Sequence, residues 1–280
     1  GVGGREVGYL YGMYRKLARE NTGVLTGKGM TFGGSLIRPE ATGFGAVYFV
    51  RQMLETAGDS LRGKVIALSG FGNVTWGVAL KAVQEGAKVV TVSGPDGYVY
   101  DEAGLDGEKI GYLLELRASN NDVVAPYADR FPGAKFVPGR KPWEVKADIA
   151  MPCATQNELD GRDAEALVAN GVKYVAEVSN MGCTPEAADL FIAREIPFGP
   201  GKAVNAGGVA TSQLEMEQNA GMTSWTFDEV DNKLKGIMAG IFKAAHDTAE
   251  EFGQPGNYVM GGNIAGFRKV ADSMIEQGLM

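Results

Sequence analysis

The stretch LSGFGNVT, residues 68–75, decides the fold because it leads from an apolar strand into a helix through a turn that contains two glycines. The strand is KVIALS (64–69), and the helix is VTWGVALKAVQEG (74–86), which ends at Gly86 as helices often end at glycine. A second apolar strand, KVVTVS (88–93), follows directly. This order of strand, turn, helix and strand predicts two parallel strands joined by a crossover helix.

The two glycines of the turn are suited to binding a dinucleotide, because the turn follows a strand and opens a helix. Gly70 permits the tight turn, and Gly72 lets the backbone approach a pyrophosphate at the positive end of the helix. Thr75 stands where the pattern usually has a third glycine. A glycine turn without a ligand is the alternative interpretation, since two glycines alone are a weak signal.

Strands and helices alternate along the rest of the chain. Further strands are predicted at 135–137, 147–154, 172–179 and 196–200, and further helices at 5–20, 42–58, 107–119, 162–171, 184–194, 205–220, 226–252 and 263–278. The alternation and the nearly continuous apolar strands predict an α/β fold: a Rossmann-like, doubly wound and mainly parallel sheet with flanking hinge helices. Ligands bind such sheets at the carboxyl ends of the strands, which here means the residues following 69, 93, 154 and 179.

Composition excludes several classes of protein. The 280 residues include 41 glycines, about twice the usual share of about 7%, but there is no Gly-X-Y period, so the chain is not collagen-like. No apolar run approaches the ~20 residues of a membrane span, and a net charge of −7 disfavours nucleic acid and anionic membranes as partners. One histidine, His246, and two cysteines, Cys153 and Cys183, predict neither a metal site nor a disulfide framework. We expect Cys153 to be a buried residue rather than a nucleophile, in a reducing, cytoplasmic setting.

Polar residues follow the predicted strand ends. Asp96 comes shortly after the second strand, where an acidic residue can bind ribose hydroxyls, although it can equally be an ordinary turn residue. No Lys or Arg lies between 89 and 108 to bind a 2′-phosphate, so NAD is favoured and NADP stays possible. Thr155 and Asn180 follow two later strands, where the alternatives are a capping box of Thr155 with Glu158 and an ordinary turn.

Five long blocks of sequence carry a resemblance to a known family. They are GGSLIRPEATGFG (33–45), SGFGNVTWG (69–77), SGPDGYVYD (93–101), KPWEVKADIAMPCATQNELD (141–160) and KAVNAGGVATSQLEMEQN (202–219). They resemble the hexameric-type glutamate dehydrogenases of the glutamate, leucine, phenylalanine and valine dehydrogenase superfamily. The resemblance implies the cofactor-domain part of such an enzyme: 1–33 as the end of the substrate domain, 34–255 as the dinucleotide-binding domain, and 256–280 as a C-terminal hinge helix.

The resemblance also implies roles for residues at matching positions. Arg38 and Thr42 would line the catalytic cleft, with Thr42 near the nicotinamide carboxamide. Val209 and Ser212 would contact the substrate side chain and its distal carboxylate, although Ser212 could instead be an ordinary helix-surface residue. The cofactor would be held by Thr42, Gly70, Phe71, Gly72, Asn73, Val74, Pro95, Asp96, Ala154, Thr155, Asn180 and Asn205.

Three positions bear on how closely the chain follows the family pattern. Gln213 stands where the family usually has Gly, which we expect to crowd the substrate pocket, and Thr75 replaces a more usual Ala. Gly94 stands where many NADP-dependent members have Asp, so the resemblance also favours NAD.

The implied function is NAD(P)-linked oxidative deamination of L-glutamate to 2-oxoglutarate and ammonia by hydride transfer to nicotinamide, in a homohexamer. Family members are longer, and the segment that would precede Gly1 supplies lysines and an acidic residue for turnover, so we expect the chain alone to be inactive. We also expect it to be monomeric or poorly ordered at both ends. Two alternatives stay open. One is a dinucleotide-binding module without catalytic activity, and the other is a related dehydrogenase for leucine, valine or phenylalanine, in which an apolar residue stands in place of Ser212.

Overall fold

The computed structural model describes residues 2–119 and 121–278. Its helices are α1 Gly4–Ala18, α2 Ala41–Thr56, α3 Asn73–Gln84, α4 Gly107–Ala118, α5 Pro126–Arg130, α6 Gly161–Ala169, α7 Pro185–Ala193, α8 Gly201–Val204, α9 Gly207–Ala220, α10 Phe227–Glu251 and α11 Tyr258–Gln277. Its strands are β1 Val65–Leu68, β2 Lys88–Val89, β3 Thr91–Gly94, β4 Gly97–Tyr100, β5 Lys135–Pro138, β6 Ile149–Met151, β7 Tyr174–Ala176 and β8 Phe198–Gly199. Residues 1, 279 and 280, at the outer ends of the predicted segments 1–33 and 256–280, lie outside the described residues.

A parallel sheet with the strand order β2-β1-β6-β7-β8 forms the centre of the fold. Its register is set by pairs such as Ile66 with Val89 on one side of β1 and Ala67 with Ala150 on the other. From β1 the chain moves first to β2 on one side and later to β6 on the other, so the strand order reverses at β1. Open α/β sheets bind ligands at such a reversal, and the predicted Rossmann-like fold with a mainly parallel sheet is confirmed.

Helices cover both faces of this sheet. Along β6, Ile149 and Met151 face a core that includes Phe44 of α2, whereas Ala150 between them faces a smaller core that includes Phe191 of α7. Successive residues of a strand point to opposite faces, so a strand covered on both sides is apolar at every position. This is the physical reason why the strands could be recognised as continuous apolar runs.

A second, antiparallel sheet with the order β3-β4-β5 was not predicted. The predicted strand 88–93 divides into β2 and β3, which lie in different sheets. Gly94 pairs with Gly97, so β3 and β4 form a hairpin around Pro95-Asp96. An Asp-Gly pair is a strong hairpin signal, and it is the feature from which β4 could have been found. The predicted strand 135–137 is β5 of this sheet rather than part of the parallel sheet.

Side-chain capping explains where two of the long helices begin. The Glu229 backbone N–H donates to the Thr226 hydroxyl and the Thr226 N–H donates to the Glu229 carboxylate, which confirms the capping box predicted at the start of α10. The Asn257 side chain accepts from the Met260 N–H, so α11 begins at Tyr258 rather than at residue 263.

The short helices α5 and α8 were not predicted. Within the described residues, no helix combines the length and the apolar composition needed to cross a membrane.

Helix α2 approaches two neighbouring helices so closely that only glycine fits at the contacts. A Cβ on Gly43 would lie 2.3 Å from the backbone nitrogen of Val78 in α3. A Cβ on Gly45 would lie 2.7 Å from the Cα of Gly207 in α9. Real Cβ contacts are longer than this, so the backbones of α3 and α9 fix the positions of these glycines in α2.

We expect Gly43→Ala to destabilise the fold by at least about 2 kcal/mol, because the added methyl group would push α2 away from α3. The matched control is Gly111→Ala in α4, where the described residues place no heavy atom within 4 Å of the new Cβ. That control should be neutral or stabilising by about 0.5–1 kcal/mol, since alanine favours a helix over glycine. Urea unfolding curves measure both changes, and equal midpoints for the two variants would contradict the close contact.

Candidate functional site

The turn between β1 and α3 leaves the N-terminus of α3 open. Gly70 has a φ of +73°, which glycine adopts readily, and Gly72 caps the helix without a side chain. The first N–H groups of a helix have no acceptor within it and lie at its positive end. Among the described residues, no heavy atom lies within 4 Å of the position that a Cβ would take on Gly72. An anionic group such as a pyrophosphate can therefore approach these N–H donors.

Thr75, in the place of the third glycine, supports this turn from below. Its hydroxyl is buried and donates to the carbonyl oxygen of Ser69 at 3.0 Å. The same hydroxyl oxygen would lie 2.7 Å from a Cβ on Gly70. The threonine side chain thus packs against Gly70 and adds a hydrogen bond to the turn. The turn therefore keeps its shape with threonine in place of the third glycine.

Asp96, predicted either to bind ribose or to be a turn residue, holds a neighbouring loop. Its carboxylate accepts from the backbone N–H groups of Val124 and Ala125, each at 3.0 Å. Ala125 directly precedes α5, so the hairpin loop and the start of α5 are tied together. Pro95 beside it is exposed. The Asp96 carboxylate therefore already has two backbone partners, and its binding to a ribose stays a prediction.

The segment after β6 lies at the protein surface and bonds inward to one carboxylate. Ala154 and Thr155 are exposed, and their N–H groups donate to the Glu158 carboxylate at 2.8 and 3.3 Å. The reach of Glu158 back to Thr155 is one half of a capping box, but the residues form turns, and the next helix starts only at Gly161. Capping of a helix therefore does not account for this carboxylate.

The ends of β7 and β8 bring two predicted cofactor residues together. The amide nitrogen of Asn205 donates to the amide oxygen of Asn180 at 2.7 Å. Below them, the buried carboxylate of Glu177 accepts from Cys183 N–H at 2.8 Å and from Gly201 N–H at 2.7 Å. Glu177 was not predicted, and its only signal in the sequence was a charged residue within the predicted apolar strand 172–179.

A second cluster lies where α2 and α9 begin. Arg38 Nε donates to the Ser212 hydroxyl oxygen at 2.9 Å, and the Thr26 hydroxyl donates to the same oxygen at 3.0 Å. Ser212 in turn donates to the Gly208 carbonyl at 3.2 Å, and its side chain is buried. The predicted residues Arg38 and Ser212 are thus in direct contact. Thr26 was not predicted, because a threonine in a glycine-rich loop carries no sequence signal of its own.

Thr42 and Val209 lie beside this cluster. The Thr42 hydroxyl would be 2.5 Å from a Cβ on Gly208, and Val209 next to Gly208 has 71% of its surface exposed. Gly43, which follows Thr42, would bring a Cβ to 2.6 Å from the Val74 carbonyl in the first turn of α3. The start of α2 therefore lies between the open end of α3 and the start of α9, and it joins the two parts of the site.

A buried ion pair fixes the glycine-rich loop that precedes α2. The Lys28 ammonium lies 2.7 Å from a Glu215 carboxylate oxygen, and both side chains are inaccessible to solvent. Glu215 also accepts from the Gly27 N–H at 2.8 Å. Removing one partner of such a pair costs about 3–5 kcal/mol, because the other charge stays buried. Lys28 is a structural cation here, and its ammonium points to Glu215 rather than into the site.

The two thiols and the histidine have structural surroundings that do not suit them for catalysis. Burial raises the pKa of the Cys153 thiol well above its usual range, and burial together with the Glu177 carboxylate raises the pKa of the Cys183 thiol. A thiol with a raised pKa is a poor nucleophile, which agrees with the expected structural role of Cys153. His246 lies on α10 and stacks on Phe242 at a ring distance of 5.7 Å. Around the described residues, no group of three or more His, Cys, Asp or Glu side chains could hold a metal ion.

Comparison with known proteins decides the family. The profile of the Glutamate/Leucine/Phenylalanine/Valine dehydrogenase family matches residues 33–278. The chain belongs to the Glutamate/Leucine/Phenylalanine/Valine dehydrogenase family. The resemblance inferred from the five sequence blocks is therefore confirmed.

Individual members of the family match the chain over almost its whole length. An NAD-specific glutamate dehydrogenase of Bacteroides fragilis is 65% identical over 100% of this chain, and an NADP-specific glutamate dehydrogenase of Giardia intestinalis is 52% identical over 99% of it. A solved glutamate dehydrogenase structure that is 52% identical superposes with a TM-score of 0.97 over 100% of this chain. The chain spans 63% of the length of each of these three proteins.

In this member of the Glutamate/Leucine/Phenylalanine/Valine dehydrogenase family, the predicted site residues fall into groups that the fold brings together. The turn residues Gly70–Val74 surround the open end of α3, and Asn180 contacts Asn205 at the same edge of the sheet. Phe71 is buried rather than exposed, under the guanidinium of Arg117 at 5.5 Å. Contact of these residues with a ligand stays a prediction.

The buried thiols allow a test of this arrangement. We expect iodoacetamide at about pH 8 to leave Cys153 and Cys183 unmodified in the native protein, because both are buried and the pKa of each is raised. Met216→Cys, at an exposed position of α9, is the positive control and should be alkylated quickly. Peptide mapping by mass spectrometry reads out each site. Rapid native alkylation of Cys153 would show that the end of β6 is open.

Proposed function

We propose that this chain supplies the cofactor side of the active site of an NAD-linked glutamate dehydrogenase. The observation that carries the proposal is the meeting of two features at one place: the open N-terminus of α3, and the contact of Arg38 with Ser212 beside Thr42. The names of relatives that match almost the whole chain support it. When bound, a nicotinamide dinucleotide supplies the two-electron acceptor for oxidation of the amino acid.

The residues around the turn fit a dinucleotide. The first N–H groups of α3 would bind the pyrophosphate, with Gly72 leaving room for its approach. Asn180 and Asn205 bond to each other through one polar atom each, so each amide keeps its second polar atom for a ribose hydroxyl or a carboxamide. Thr42, between the starts of α3 and α9, would orient the carboxamide. Ala154 and Thr155 would form one wall of the groove, and Pro95 with Asp96 would flank the adenosine ribose.

NAD is the proposed cofactor, and NADP is the alternative. The hairpin loop at Pro95-Asp96 carries an acidic side chain and no cation, which disfavours a 2′-phosphate. Arg117 is a cation close to the turn, over the ring of Phe71 at 5.5 Å, and it pairs with Asp122. A 2′-phosphate would compete with Asp122 for this guanidinium, and relatives named for either cofactor match the chain.

The proposed substrate is L-glutamate, and the proposed products are 2-oxoglutarate and ammonia. Ser212 offers a hydroxyl beside the Arg38 guanidinium, which suits a distal carboxylate better than an aliphatic side chain. A dehydrogenase for leucine, valine or phenylalanine would leave this buried polar cluster facing an apolar substrate, at a desolvation cost. The contacts of Ser212 therefore favour glutamate over the related amino acids.

We further propose that turnover needs the part of the relatives that this chain does not match. Two substrate carboxylates need cationic partners, but Lys28 is bonded to Glu215. The remainder of the protein would supply lysines and the acid–base group. Residues 1–33 and 256–280 would then flank the dinucleotide-binding domain, 34–255, in a homohexamer. The two free thiols suit the reducing cytoplasm.

Gly72→Ala tests the pyrophosphate site. The backbone of Gly72, with φ −84° and ψ −169°, suits any residue, and the described residues leave its Cβ position free, so stability should change little. The methyl group would lie where the pyrophosphate approaches, so we expect the Kd for NADH to rise at least about tenfold. Gly107→Ala, at the start of α4 with similar open space, is the control. Fluorescence titration with NADH measures both, and equal affinities would remove the pyrophosphate from this turn.

Ser212→Ala tests the substrate assignment in the protein that contains this chain. We expect kcat/KM for L-glutamate to fall about tenfold, because the hydroxyl proposed to bind the distal carboxylate, after leaving the Gly208 carbonyl, is lost. L-Norvaline, which lacks that carboxylate, should be oxidised at an unchanged rate, and Glu217→Ala on the exposed side of α9 should change neither rate. NADH absorbance follows the reaction. Unchanged glutamate kinetics would refute the role of Ser212, and no glutamate-dependent reduction of NAD by the unmodified protein would refute the proposed function.

A further inference from the structure

The exposed segment after β6 is built around one carboxylate that no proposed contact with the cofactor uses. Oε1 of Glu158 accepts from the N–H groups of Ala154 and Thr155, at 2.8 and 3.3 Å. The hydroxyl oxygen of Ser179 lies 3.5 Å from the same carboxylate oxygen. Two consecutive N–H groups of the predicted cofactor segment therefore point inward at a single acceptor.

The carboxylate also lies among the ends of three adjacent strands of the parallel sheet. Ser69, at the end of β1, accepts from the Cys153 N–H at 2.8 Å, and its side chain lowers the pKa of Glu158. Ser179 follows β7, which lies on the other side of β6. Glu158 thus bonds to the segments that follow β6 and β7 and lies near the end of β1, at the edge where ligands bind in this kind of sheet.

The charge makes these contacts strong. Hydrogen bonds to an ionised carboxylate are about twice as strong as those between neutral groups. Burial raises the pKa of Glu158, whereas the hydrogen bonds from Ser69 and from the two backbone N–H groups lower it. The carboxylate is thus held among donors in a site largely removed from water, although the segment that it organises is exposed.

Other contacts hold the far end of the same segment. Asn157 N–H donates to the Met181 carbonyl at 2.8 Å, and Leu159 N–H donates to the Gly182 carbonyl at 3.0 Å. These backbone bonds do not involve the Glu158 side chain. Loss of the carboxylate would therefore release Ala154 and Thr155 while the rest of the turn stays attached to the β7 end.

We propose that Glu158 is a positioning residue of the dinucleotide site, whose carboxylate sets the backbone of Ala154 and Thr155 as one wall of the cofactor groove. The inference rests on the proposed function, because it takes these two residues as cofactor contacts. Glu158 itself lies behind the segment and acts through it, and it needs no contact with the ligand.

The experiment compares Glu158→Ala with Glu158→Gln in the protein that contains this chain. Glutamine keeps an oxygen that can accept both backbone N–H groups, so it should restore what alanine loses. We expect Glu158→Ala to raise both the NADH Kd and the KM for NAD about tenfold. For this variant, kcat at saturating NAD should stay within about threefold. Glu158→Gln should bind NADH within about threefold of the unmodified protein. Glu186→Ala, in the exposed first turn of α7, is the control and should change neither value.

The outcomes separate the inference from the proposed function. An unmodified protein that binds NADH, together with a Glu158→Ala variant of equal affinity, would overturn the positioning role alone. Equal losses of affinity and of melting temperature in both variants, with no rescue by glutamine, would also overturn it, since they indicate a general role in stability. An unmodified protein that binds no NADH would overturn both proposals.

Discussion

The close contact of α2 with α3 and α9 is the constraint on which the rest of the site depends. Gly43 permits the approach to the first turn of α3, and Gly45 and Gly207 permit the approach to α9. Because backbones meet without intervening side chains, the three helix starts converge at one place. Thr42 is carried there by its position in α2, between the open end of α3 and Gly208. Some of the glycines that stand out in the composition thus serve helix packing.

Buried charges then fix the loops around these helices. Lys28 and Glu215 satisfy each other inside the protein and attach the loop before α2 to α9. Glu177 and Glu158 instead accept from backbone N–H groups at the strand ends. An isolated buried charge is costly, but each of these has donors or a counter-charge at hydrogen-bond distance. The backbone at the sheet edge is thus held by several hydrogen bonds to charged groups.

The sequence was most informative where local pattern and fold agree. The turn at Gly70 and Gly72, the strands covered on both faces, and the capping box at Thr226 follow from short-range rules, and each appears as predicted. The antiparallel sheet was missed because KVVTVS reads as one apolar run, although its two halves lie in different sheets. Thr26 and Glu177 could not be found, because their partners are far away in the chain and only the folded structure brings them together.

The turn before α3 and the cluster around Ser212 differ in how many polar groups they leave available for a ligand. The turn between β1 and α3 would bind a dinucleotide through its own backbone, so the donors that it would use are present once β1 and α3 have formed. The polar groups of the cluster around Ser212, in contrast, largely bond to one another: Arg38 and Thr26 both donate to Ser212. A glutamate carboxylate would have to displace one of these bonds or meet cations from elsewhere, whereas a pyrophosphate would displace nothing that the described residues supply. The proposed cofactor site is therefore nearly complete within the described residues, whereas the proposed substrate site is not.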